Sequence, residues 1–193
     1  YAHEQGCPWD EQTPAGAAMG GHIQCLMYAF EQGCKWGVDT CKGASRYGHL
    51  FALQYAHEQG CPWDVGCCLY AAMNGHINCL IYAHEKGCPW NRYTCEIAAT
   101  KGHLNCLQYA HEHGCPWDAG AATNAARYGH LPCLRYLREG GCVLNDEVCI
   151  YAAQMGHLSC LQYAHESGAP WDARTTLGAA STGQLHCLHY LYA

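Results

Sequence analysis

Charge is scarce in this chain. Asp, Glu, Lys and Arg make up 13% of its 193 residues, and the Lys and Arg, 10 in all, are nowhere clustered. With a formal net charge of −6, the sequence offers no basic surface to steer nucleic acid or an anionic membrane towards it. Long apolar runs are also missing. None approaches the roughly 20 residues needed to cross a bilayer, so membrane insertion is not expected. Val and Ile are sparse and no stretch alternates with period two, which leaves little signal for strands. No Cys-x-x-Cys pair occurs, and no basic, apolar and small-residue leader pattern opens the chain.

What is present is a large apolar fraction, 50% of the residues, together with 17 Cys, 14 His, 14 Tyr and 6 Trp. A chain of this size can bury a core of its own, so the cysteines are not needed as a disulfide framework, and their number is odd. A reducing, intracellular and most simply cytoplasmic setting is expected.

The arrangement is periodic, with a step of 27 residues. Gly6, Gly33, Gly60, Gly87, Gly114, Gly141 and Gly168 follow it. So do Gly21, Gly48, Gly75, Gly102, Gly129, Gly156 and Gly183, all but the last followed by His. Ala pairs starting at Ala17, Ala71, Ala98, Ala125, Ala152 and Ala179 keep the same step, with Ala44-Ser45 in the remaining copy.

Each period predicts two helices. In "GHLNCLQYAHEHGCPW", Leu104, Leu107, Tyr109, Ala110 and His111 form an apolar face, Gly114 is placed to stop the helix and Pro116 follows. The shorter first helix carries the Ala pair, and Thr13-Pro14 suggests a hydroxyl cap ahead of a proline at the first helical position. Two short helices cannot bury their apolar faces alone, so each unit must stack on its neighbours. The expected fold is all-α, an α-solenoid of about seven repeats spanning residues 1–193 as a single body. Since the chain opens inside a repeated phrase, it is expected to be a portion of a longer array, open to end-to-end association or a larger assembly.

From Thr94 to Cys115, "TCEIAATKGHLNCLQYAHEHGC" resembles the ankyrin repeat in its order of Thr, first helix with paired Ala, Gly-His turn, second helix and terminal Gly. It looks most like the short, Cys- and Trp-rich ankyrin-like arrays of giant viruses and some protists. The resemblance covers essentially the whole chain and implies stacked helix-turn-helix units that bind protein partners. Ankyrin repeats run about 33 residues. The residues missing here fall between the terminal Gly and the next Thr, so β-hairpin fingers are expected to be absent.

The His and Cys residues suggest metal chemistry first. His84 and Cys88 lie four apart, as do His3/Cys7, His57/Cys61 and His111/Cys115. Two ligands do not complete a structural zinc site, and equivalent Cys of adjacent repeats should lie on the order of 9–10 Å apart, too far for a disulfide or a shared ion. The expectation is therefore no metal and no cofactor. Cys25, Cys79, Cys106, Cys133, Cys160 and Cys187 are expected in the core, and the Gly-His histidines, His22, His49, His76, His103, His130 and His157, are expected to satisfy neighbouring backbone. Catalysis would require one cysteine unlike the rest; Cys67-Cys68 is the only adjacent pair, and no enzyme is expected. A metal-binding or thiol-redox module built on the Cys/His ladder is the alternative. Trp9, Trp36, Trp63, Trp90, Trp117 and Trp171, with Leu144 in the sixth copy, are expected to stack as a ladder over the core edge.

The copies differ most on one face of the first helix. One row holds Arg46, Met73 and Arg127, a second Tyr47, Lys101, Tyr128 and Met155, and a third Tyr70, Ile97 and Tyr151. Their Tyr, Arg and Met content suits a protein interface. These ten residues are the expected partner-binding set, with Tyr47, Tyr70, Arg127, Tyr128 and Tyr151 as anchors of a scaffold or assembly subunit.

Overall fold

The computed structural model describes residues 9–192. Among them it has fourteen α-helices and no strand, in two compact units divided after Trp90. Gly6 and the His3/Cys7 pair lie outside the described residues.

The first unit contains three helix pairs: α1 (Gln12–Met19) with α2 (Ile23–Glu31), α3 (Val38–Tyr47) with α4 (Leu50–Glu58), and α5 (Val65–Met73) with α6 (Ile77–Glu85). The second contains four: α7 (Arg92–Lys101) with α8 (Leu104–Glu112), α9 (Ala119–Arg127) with α10 (Leu131–Glu139), α11 (Asp146–Gln154) with α12 (Leu158–Glu166), and α13 (Ala173–Ser181) with α14 (Leu185–Tyr192). The fold is an α-solenoid of helix-turn-helix repeats, and the turns between pairs carry no strand. Within each unit the first helices lie closely side by side, α1 on α3 on α5, and α7 on α9 on α11 on α13. Their paired small residues explain this approach. Ala71, Ala72, Ala98, Ala99, Ala125, Ala126, Ala152 and Ala153 have no exposed surface and no bulk to hold the next helix away. The second helices meet one another less closely, and each from α2 to α12 contributes a fully enclosed leucine at the same register position, Leu26, Leu53, Leu80, Leu107, Leu134 and Leu161.

The helix stops follow the sequence. At Gly114, φ is +82°, in the left-handed region; its amide donates to the His111 carbonyl and the Cys115 amide to that of Ala110. The helix starts differ from expectation. Thr13 does not cap α1, because that helix already begins at Gln12, whose amide donates to the Asp10 carboxylate at 2.9 Å. The recurring cap is the Asp or Asn that follows every Trp except Trp36, where Gly37 stands. Asp64, Asn91, Asp118 and Asp172 each accept from the amide two residues on. In place of a cap, the Thr13 position turns into the core.

Thr94 in that position is 1% exposed, and its hydroxyl has no hydrogen-bond partner among the described residues. Val148 fills the same register position with no exposed surface. Thr94→Val should therefore raise unfolding free energy by about 1 kcal/mol by removing an unpaired buried hydroxyl. Urea denaturation would check this, and a destabilised variant would contradict it.

Candidate functional site

Where a repeat carries them, its His, Cys and Trp lie at the joint between helix pairs and take different partners. In the first unit the His57 ring stacks on Trp63 at 3.8 Å, and its Nδ1 hydrogen-bonds the Tyr82 hydroxyl at 3.0 Å. In the second unit His111 stacks on Trp117 at 3.6 Å and bonds Tyr136 at 3.0 Å. His165 does the same with Trp171 and Tyr190 at 3.7 and 2.9 Å. At these three joints the tryptophan stacks on histidine, where a ladder of tryptophans was expected. Imidazole and indole lie face to face within a repeat, and the tyrosine of the next repeat closes them edge-on. In the repeat carrying Trp36, Phe30 takes the histidine's place, and the Trp36 indole donates to the Gln59 carbonyl.

The neighbouring cysteines turn inward, away from these rings. Cys61, Cys88, Cys115 and Cys142 each donate a thiol hydrogen to a carbonyl one repeat earlier, those of Gly37, Asp64, Asn91 and Asp118, at 3.1–3.4 Å. His57 and Cys61, and likewise His111 and Cys115, are thus committed to different partners. Among the described residues, no three His, Cys, Asp or Glu side chains are gathered to hold an ion. Burial pushes the thiols of Cys79, Cys106, Cys133, Cys149 and Cys160 up to about 11, which keeps them protonated and weakly nucleophilic. Cys67 and Cys68 are both buried; the Cys68 thiol points at the Cys88 carbonyl, and the Cys67 thiol lies against the Cys88 sulfur, which raises its pKa further. Cys25 departs from the core expectation. It is exposed, because no described helix precedes α1 and α2 to cover it.

The turn histidines also bridge repeats. His49 Nε2 donates to the Met19 carbonyl at 3.1 Å, satisfying the end of α1. The ring of His76 lies so close to Gly48, whose φ is +77°, that a Cβ there would meet its Nδ1 at 2.6 Å. Desolvation lowers the pKa of His57, helped by Lys86 and opposed by Glu58. It also lowers that of His130, where His103, His157 and Lys101 add to the effect and a bond to the Thr100 backbone opposes it. The folded state then binds fewer protons than the unfolded chain. This stability is present above the unfolded value, about 6.5, and is lost as pH falls through it. The melting temperature should drop between roughly pH 7.5 and 5.5, and less so in a His57→Gln/His130→Gln variant. An unchanged or rising melting temperature would contradict the sign.

Six of the ten expected binding residues come together on the varied face of the first helices in two clusters, one per unit. In the first unit the guanidinium of Arg46, in the last turn of α3, lies 5.7 Å from the Tyr47 ring centroid and 5.4 Å from that of Tyr70 on α5. In the second, Arg127 at the end of α9 lies 5.9 Å from Tyr128 and 4.9 Å from Tyr151 on α11. Tyr47 and Tyr128 are each 51% exposed. A cleft of about 130 Å³ beside Arg46 is lined by Met19, Asp39, Lys42, Gly43 and Tyr70. Met73 and Ile97 are half-buried, Lys101 and Met155 exposed, and none of the four belongs to either cluster.

Ion pairs cross from repeat to repeat on the first helices, Lys42 to Asp64 at 2.8 Å, Arg92 to Asp118 at 3.3 Å and Arg174 to Asp146, and Arg174 also pairs with Asp172 at the start of its own helix. Sequence reasoning overlooked these pairs. The periodic Asp or Asn after every Trp but Trp36 was the available signal.

No protein-family model and no curated protein matches the chain. Among solved structures, the human ASB11 ankyrin repeat domain superposes with a TM-score of 0.71 at 17% identity, over 81% of this chain and 84% of that one. The fold is ankyrin-like. Compared with the expected resemblance, the ankyrin-like pairs keep the Thr, paired Ala, Gly-His turn and terminal Gly in their register. The shortened connection is a capped turn, in which the Trp covers the joint and the following Asp or Asn starts the next helix. No described helix is long and apolar enough to cross a membrane.

Proposed function

We propose that the protein is a non-enzymatic scaffold that binds a protein partner through the varied face of its first helices. One observation carries the proposal: each unit holds an arginine against two tyrosines on a surface that its core does not use. Repeat solenoids present extended rows of this kind as binding surfaces. Tyrosine and arginine are the side chains that most often anchor protein interfaces. Side chains already packed against one another also lose little rotamer freedom on binding.

Met73, Ile97, Lys101 and Met155 would extend the contact around these anchors. The alternative, a metal-binding or thiol-redox module, has less support because the His and Cys of each joint serve separate structural partners and burial holds most thiols protonated. The test replaces Tyr47, Tyr70, Arg127, Tyr128 and Tyr151 together by alanine and compares partner capture by immobilised wild-type and variant chains from the native source. Capture should be abolished with helical content unchanged by circular dichroism. A variant that still captures the same partner would overturn the proposal.

A further inference from the structure

We infer that the two arginine clusters are carboxylate receptors, each fitted to one Asp or Glu side chain of an acidic segment on the partner. This rests on the binding face proposed above and specifies the chemistry that face accepts.

Apart from Lys101 at the end of α7, the first-helix cations fall into two groups. Lys42, Arg92 and Arg174 are neutralised within their own units by Asp64, by Asp118, and by Asp146 with Asp172. Arg46 and Arg127 form no ion pair with any carboxylate among the described residues. Tyrosine rings hold them instead, with guanidinium carbons 4.9–5.9 Å from the ring centroids. Cation–π contact favours the charge without using up the hydrogen-bond donors in the plane of the guanidinium. Those donors form the fork that grips a carboxylate with two parallel bonds.

The two sites reach this state in similar ways. Both arginines sit in the last turn of a first helix, where the carbonyl end of the helix dipole favours a cation without neutralising it. Arg46 is exposed. Arg127 is half-buried, and its Nε is sealed from solvent with no hydrogen-bond partner, so its terminal amino groups are the donors left for a ligand. The nearby acids do not fill the sites. Asp39 lines the cleft beside Arg46 but makes no ion pair with it, and Glu96 on α7 accepts from Asn124 Nδ2 at 2.9 Å. Each cluster offers a single guanidinium, which matches one singly charged carboxylate. The pattern "RYGHL" with a tyrosine on the next first helix occurs at Arg46 and again at Arg127, three periods later, and at no other Arg. The chain therefore builds the same receptor once in each unit.

Fluorescence anisotropy on the full chain at low salt, with a labelled Glu–Gly repeat peptide and its Gln–Gly counterpart, tests this. The Glu peptide should bind and the Gln peptide should not. Arg46→Gln and Arg127→Gln should each weaken the Glu peptide about ten-fold, the loss of one charge-assisted contact. Arg→Lys at the same positions should also weaken it, because the charge stays but the fork is lost. Arg92→Gln should bind as wild type, since that guanidinium is already paired with Asp118 and lies outside both clusters, and circular dichroism confirms that each variant folds. Equal affinity for the two peptides, or wild-type binding by the double Arg→Gln variant, overturns the inference. If the peptide fails to bind while the five-alanine variant still loses its native partner, the binding face stands and the carboxylate assignment alone falls. If arginine-dependent peptide binding coexists with undiminished partner capture by the five-alanine variant, the carboxylate sites stand and the binding face falls.

Discussion

Replacing Leu107 by alanine is expected to lower the unfolding free energy by about 3 kcal/mol. The residue has no exposed surface, and it lies on α8 in register with enclosed Leu134 and Leu161 on the following second helices. Its setting resists collapse. Ala98, Ala99, Cys106 and Ala110 are all buried, and side chains this short have no reach with which to fill a vacated space. The cost should therefore include both the lost transfer free energy and a cavity that the repeat cannot close. Leu185→Ala is the control, since Leu185 is 58% exposed and should cost no more than about 0.5 kcal/mol. Equal losses in urea denaturation would show that the periodic buried leucine does not hold the stack together.

Removing the indole from one joint should have the next largest effect. Trp117→Ala is expected to cost about 2 kcal/mol, because a large half-buried ring leaves both the His111 face and the Tyr136 edge. A double-mutant cycle with His111→Ala should show a coupling of about 1 kcal/mol, as expected for stacked rings. The sixth copy supplies a sharper comparison. There Arg138 and Leu144 stand together where the other copies have His, or Phe30, with Trp. Arg138 donates to the Ser167 carbonyl of the next repeat, and Leu144 is 8% exposed. His111→Arg and Trp117→Leu should thus be better tolerated together than the sum of the single changes. Strictly additive losses would mean that the two positions vary independently and the joint is not a unit.

The period, the paired helices and their glycine stops were legible because each follows from a residue type with one dominant physical use: Gly114 in the left-handed stop, and Ala98-Ala99 where helices approach. The absence of β-hairpins was legible from repeat length. The helix starts were misread because Thr13-Pro14 was judged on its local appearance in one copy. Asp64, Asn91, Asp118 and Asp172, compared at the same step, identify the real cap.

The pairing of rings was not legible. His111 and Trp117 are separated by a turn, and no periodicity indicates that their faces meet while Cys115 points the other way. At the candidate site the rows were legible, and Arg46, Tyr47 and Tyr70 do come together, as do Arg127, Tyr128 and Tyr151. The distinction between these unpaired arginines and the paired Lys42, Arg92 and Arg174 depends on side-chain reach across repeats, which spacing alone does not encode.

The sixth-copy joint bears on how the chain finds its own alignment. Stacking surfaces that are nearly interchangeable invite a helix pair to dock one repeat too early or too late during folding, trapping a compact but shifted product. Arg138 with Leu144 is chemically unlike the His–Trp surfaces before and after it, so a shifted stack would set that pair beneath a tyrosine that closes a His–Trp stack in the native register. One irregular copy can in this way act as an index mark, penalising misregistered assembly of the second unit while adding little to the stability of the correct one.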